Sequence, residues 1–172
     1  MAELQVVWNK NENVRLVEGE SLVFHCHHYN CILQKTIEDA KVIDGKGIQV
    51  NTAREVAYRQ FTKAFKDHTD LKTPAQRLAF AATLFQVAGF GKVDFKGAKA
   101  TGGIVKTPTS HYAKGWIAKW GKRDTPMCHF NAGWIAGAVA AAFDKERYYF
   151  DVKETACEAV KGKGCSYALE VR

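Results

Sequence analysis

No stretch of the chain is apolar for long enough to cross a bilayer. The longest such run, from Gly133 to Phe143, is short and rich in alanine and glycine, whereas a spanning helix needs about 20 residues. A secretory leader is missing too: Met1-Ala2-Glu3-Leu4-Gln5 is polar and leads into no apolar segment. The expected setting is therefore a reducing cytoplasm. Linkers, low-complexity tracts and internal repeats are also absent, so 172 residues read as one domain with its own core. Basic residues outnumber acidic ones, 25 to 18, for a formal charge of +7. They form no dense block: Lys92, Lys96, Lys99, Lys106, Lys114 and Lys119 are spread among apolar and small residues. With no nucleic-acid motif either, nucleic acid is not the expected partner. The glycines from Gly97 to Gly103 lack the Gly-Lys-Ser/Thr that holds a nucleotide phosphate. No nicotinamide or flavin motif occurs, and Ser110-His111 has no acidic partner for a hydrolase triad.

What is present reads as an α+β domain. Val14 to Val17 and Ser21 to Cys26 make a strand pair around Glu18-Gly19-Glu20. Asn30 is placed to cap a helix through Ala40, whose apolar face is Ile32, Leu33, Ile37 and Ala40. A second helix is expected from about Thr52 to Phe65, since Thr52 and Glu55 have capping-box spacing. Pro74 opens a third and Gly89 closes it. From Gly91 to Trp120 the apolar residues, Tyr112, Trp116 and Ile117 included, lie among glycines and lysines and suggest short antiparallel strands. A small-residue helix follows from Phe130 to Phe143, its Gly133-x3-Gly137 face suited to close packing on the sheet. A terminal hairpin turns at Lys161-Gly162-Lys163-Gly164. Residues 1–90 thus hold a strand pair and helices, and residues 91–172 the rest of an antiparallel sheet covered by helices.

Chemistry concentrates in two places. The first is Cys128, Glu154, Cys157 and Cys165. Glu154 and Cys157 lie on one arm of the hairpin, Cys165 on the other, and Cys128 just before the small-residue helix. Three thiols and a carboxylate form the donor set of a closed four-coordinate zinc site. Buried structural cysteines, or a Cys157–Cys165 disulfide, would use the same residues. Five cysteines is an odd count, and a reducing compartment favours metal ligation over disulfides.

The run Cys128-His129-Phe130-Asn131-Ala132-Gly133-Trp134-Ile135-Ala136-Gly137, followed by Glu154-x2-Cys157-x7-Cys165, resembles the 4-vinyl reductase domain family. This family of predicted hydrocarbon-binding domains also occurs in the sensor regions of aromatic-responsive transcription activators. The resemblance covers roughly residues 100–172. It implies a structural zinc held by Cys128, Glu154, Cys157 and Cys165 beside a ligand pocket, and a helix-covered antiparallel sheet. Vinyl reduction, which the family name suggests, would need a cofactor for which this chain carries no motif.

The second concentration is His25-Cys26-His27-His28-Tyr29-Asn30-Cys31, where a strand passes into a helix. Four readings fit it. Imidazoles and Tyr29 can orient a ligand at the polar end of an apolar pocket. Cys26 flanked by histidines can act as a nucleophile, with His25 and His28 in acid–base roles. His25, His27 and His28 need only His111 or His129 to make a second metal site, although strand alternation would point His27 and His28 apart. A solvated polar turn with one or two buried histidines is the plain alternative. The expectation is a zinc-stabilised binding domain for a small apolar or aromatic molecule, with His25, Cys26, His28, Tyr29 and Trp134 at the ligand, acting as a sensor or carrier. A signal would pass to another protein through an oligomer interface such as a homodimer's. A small enzyme built on Cys26 is the rival.

Overall fold

The computed structural model describes residues 3–23 and 25–172. The chain opens with an antiparallel meander of β1 (Val6–Asn9), β2 (Val14–Val17) and β3 (Glu20–Leu22). Its second turn uses Glu18 and Gly19 at positive φ, and the Glu18 carboxylate lies 2.8 Å from His68 Nε2, tying the meander to the helices. The expected second strand ran through Phe24, which falls outside the described residues. Ser21 and Leu22 pair with β2, whereas Cys26 is already the N-cap of α1 (His27–Glu38).

Two long helices follow, α2 (Gly45–Asp67) and α3 (Pro74–Val87). Helix α2 begins seven residues before the expected Thr52. The Asp44 side chain caps it by accepting from the Gly47 N–H at 2.9 Å, so the Thr52–Glu55 pair lies inside a helix already under way. Helix α3 starts as its sequence implies, with a complete Thr73–Gln76 capping box and Pro74 in the first turn.

The main sheet is antiparallel throughout. Strands β4 (Gly91–Asp94), β6 (Gly102–Ser110), β8 (Cys165–Val171) and β7 (Phe150–Ala156) lie in the order β4-β6-β8-β7, and the short β5 (Ala98–Lys99) also pairs with β6. Between β6 and β7 come α4 (His111–Trp120) and α5 (His129–Ala142), and α6 (Glu158–Lys161) interrupts the last hairpin. The α+β class expected from the sequence is the one observed. Strand structure over 111–120 is not: Ser110 Oγ accepts from the Ala113 N–H, and Tyr112, Ala113 and Trp116 then recur at helical spacing to form the buried face of α4. Interspersed lysine and glycine had obscured that period.

Helix α5 is the mast of the structure, and every residue from Asn131 to Ala142 is buried. A helix without a polar face must be enclosed on all sides. One side packs on β7 and another on α2, so the Gly133–Gly137 face meets a helix rather than the sheet. A methyl group at Gly133 would overlap the Val50 carbonyl oxygen, and one at Gly137 the Arg54 carbonyl oxygen. Trp134 fills the space beyond them, with ring centroids 5.1 Å from Phe61 and 4.9 Å from Phe85. Glycine is required here by backbone approach, which side-chain repacking cannot relieve. Gly133→Ala should therefore destabilise the protein by about 3 kcal/mol in urea unfolding. Gly162→Ala, at positive φ but with open space around it, should cost about 1 kcal/mol.

Candidate metal centre and adjoining cleft

Four elements deliver the cysteine–carboxylate group. Cys128 is the N-cap of α5 and Cys157 that of α6, Glu154 lies on β7, and Cys165 is the first residue of β8. A register shift between Glu154 and Ala156 bends the end of β7 toward the others. One ligand atom from each residue lies within 4.8 Å of the rest, and Cys128 Sγ is 3.6 Å from Cys165 Sγ. Sulfurs on one tetrahedral zinc stand about 3.8 Å apart, given Zn–S bonds of about 2.3 Å. All five cysteines are free thiols, so the Cys157–Cys165 disulfide does not form.

The surroundings suit anionic ligands. The Cys128 N–H donates to Glu154 Oε2 at 2.8 Å, and the Glu158 N–H to Cys165 Sγ at 3.3 Å. Ser110 Oγ lies 3.3 Å from Cys128 Sγ and accepts from Asn131 Nδ2 at 3.1 Å. Glu154 Oε1 is buried without a partner. Burial, then the Cys157 charge, raises the Glu154 carboxyl to about 8. Hydrogen bonds from Cys128 and Cys165 pull Cys157 down to about 2, while contacts with Cys157 and Cys165 and then burial push Cys128 well above an ordinary thiol. Burial and mutual contacts thus oppose ionisation of Cys128, Cys165 and Glu154. A divalent cation is what allows the remaining groups to ionise, and the orphaned carboxylate oxygen marks where one is wanted. These four residues can hold a metal ion.

A half-buried ion pair anchors the approach to Cys128. Glu38, the last residue of α1, accepts from Arg123 at 2.6 and 3.2 Å and lies 3.7 Å from His129 Nε2. Burial alone would raise the Glu38 carboxyl, but the close approach of His129 and the hydrogen bonds and charge of Arg123 outweigh it and hold it far below the usual carboxylate range. A depressed pKa contributes stability that is present above the unfolded value and lost as pH falls through the folded one. Glu38→Gln should therefore cost about 3 kcal/mol at neutral pH. In acid unfolding, the wild-type and variant stability curves should converge only in strong acid.

The histidine segment borders a different feature. A cleft of about 360 Å³ lies between the first turns of α1 and α4 and the end of α3. Its wall is aromatic: Phe130 lies 4.6 Å from Phe90 and 5.4 Å from Tyr112 between ring centroids. Its polar rim is His25, Asn30 and His111, and Asn30 Nδ2 is 3.1 Å from His111 Nε2. Burial, then the charge of His27, lowers the His111 pKa. Beyond Asn30, Tyr112 and Phe130, a second apolar cleft of about 250 Å³ runs between α1 and α2 past Leu33, Ile37 and Val56.

Of the candidate ligand residues, His25 reaches the rim and stacks on the exposed Tyr29 at 4.5 Å. Cys26 is exposed at the N-cap, and His28 is exposed against His27. Trp134 is 3% exposed and packs inside the core, away from the cleft. His111 is brought to the cluster, whereas His129 goes to Glu38. Phe90, Tyr112 and Phe130 carried no signal that separates lining from packing in the sequence. Ser110, adjacent to His111, supports Cys128 instead of any triad.

No family model matches the chain, and no curated protein matches it in sequence. Solved structures do match. The phenol-responsive sensory domain of the transcription activator PoxR, with phenol, superposes with a TM-score of 0.79 at 14% identity, over 96% of this chain and 84% of that one. A vinyl-4-reductase family protein from Methanocaldococcus jannaschii gives 0.53 at 15% identity, over 84% and 77% of the two chains. Such identities speak for architecture alone. The chain shares its fold with a phenol-responsive sensory domain and with a vinyl-4-reductase family protein, in keeping with the resemblance carried by its cysteine and glycine motif.

Proposed function

We propose that this protein is a zinc-stabilised module that binds a small apolar or aromatic molecule, as a sensor or carrier. Three thiols and one carboxylate make a donor set suited to zinc, and four protein ligands leave no open coordination position. The metal then has a structural role: it ties the last hairpin to the start of α5. The observation that carries the binding role is the aromatic cleft of Phe90, Tyr112 and Phe130, closed at one end by the Asn30–His111 pair. An apolar wall with few polar groups is the usual form of a small-molecule site. A domain of the same fold that responds to phenol supports this reading.

The connection between the two sites runs through consecutive residues. His111 lies on the rim, and Ser110 before it contacts Cys128 Sγ and holds Asn131. A ligand drawn between α1 and α4 acts on the helix start that braces the metal centre. Saturation-transfer NMR with phenol, catechol and toluene tests the reading. At least one aromatic probe should bind saturably, and His111→Gln and Phe130→Ala should each weaken it about tenfold, or 1.4 kcal/mol. Absence of binding by all three probes, or equal binding by both variants, would overturn it.

A further inference from the structure

The histidine cluster is left only partly used by a cleft that takes His25 and His111. Its other members are on adjoining helix starts. His27 and His28 are the first two residues of α1, and His111 is the first residue of α4. The two helices pack closely because Gly115 has no side chain: a methyl group there would come within 2.8 Å of both His27 Cβ and Cys31 Sγ. That approach brings residues 84 positions apart in sequence into one patch.

The ring geometry suits shared coordination. His27 and His28 have centroids 4.2 Å apart, and His27 and His111 have centroids 6.3 Å apart and edge-on. Two imidazoles on one ion hold their centroids roughly 5 Å apart, given metal–nitrogen bonds of about 2.0–2.1 Å. Coordination of one ion by all three requires the partly exposed His27 and the exposed His28 to rotate from these positions. The strand geometry expected from the sequence would have pointed His27 and His28 apart, but on the first turn of a helix their rings touch. Asn30 Nδ2 donates to His111 Nε2 at 3.1 Å; with its amide turned over, its oxygen would accept from Nε2–H and leave Nδ1 as the ligating nitrogen. The positive ends of α1 and α4 oppose a bound cation, an effect small beside three metal–imidazole bonds.

We propose that His27, His28 and His111 form a second metal site, separate from the cysteine centre, that takes a borderline divalent transition metal such as Zn²⁺. Imidazole nitrogen suits that class of ion, whereas Mg²⁺ and Ca²⁺ prefer oxygen. Three protein ligands leave a position open, and His111 places the ion at the rim of the aromatic cleft. A heteroatom on a ligand in that cleft can then complete the coordination.

The test is calorimetric. Wild-type protein is saturated with zinc, dialysed until its content is constant, and titrated with further ZnCl₂. A further equivalent should bind, and His27→Gln and His111→Gln should each weaken it at least about tenfold. His28→Gln provides an independent third variant, and unchanged melting temperatures report that each is folded. Cys157→Ser should leave this titration intact, which separates failure of the cysteine centre from failure of this one. No uptake beyond the cysteine-dependent metal would overturn the proposal. So would a further equivalent retained in His111→Gln, which would reduce the patch to exposed surface histidines.

Discussion

Three buried thiols and a buried carboxylate within 4.8 Å of one another are unstable as neighbours unless something neutralises them. Burial and the neighbouring Cys157 raise the Glu154 carboxyl to about 8, and Cys128 lies well above an ordinary thiol. The rest of the C-terminal half depends on resolving this constraint. The bend in β7, the cap of α5, the one-turn α6 and the start of β8 all end at the same point. Each carries one donor, so a bound cation fixes four chain segments at once. Without it, the same segments gather around groups whose ionisation burial opposes at Cys128, Cys165 and Glu154, which is a poor anchor.

Helix α5 conveys that anchor into the core. Its first residue follows Cys128 and its glycines press on the α2 backbone, leaving no slack between metal centre and helical layer. Helix α4 is held at its start by Ser110, which also touches Cys128 Sγ, and it presents His111 and Tyr112 to the cleft one and two residues later. The cysteine–carboxylate cluster and the α5 core therefore lie directly behind the aromatic cleft. On the other side, α1 brings the histidine cluster to that cleft and is secured at its far end by Glu38 and Arg123.

Much of this was legible in the sequence because the signals are local. The Thr73–Gln76 box, Pro74, the unbroken small-residue run of α5 and the two-cysteine hairpin depend on neighbours in the chain. Cys128 could be joined to Glu154, Cys157 and Cys165 through the resemblance of its cysteine and glycine motif to the 4-vinyl reductase domain, since the spacing alone is no standard zinc pattern. What escaped depends on distant contacts. Helix α4 was concealed by lysines on its exposed face, and α2 begins early because Asp44 caps it and Gly45 sits against the end of α1. Trp134 was expected at the ligand, and the packing of α2 and α3 around α5 sends it inward instead. His111 and His129 were equal candidates to join the histidine cluster until the pairing of α1 with α4 separated them by placement.

Zinc K-edge X-ray absorption on the purified protein, with elemental analysis of the same sample, tests the central claim most directly. The account predicts zinc in a shell of three sulfurs at about 2.3 Å and one oxygen at about 2.0–2.2 Å, abolished in Cys157→Ser. A sample without metal, or zinc surrounded by oxygen and nitrogen alone, would contradict it.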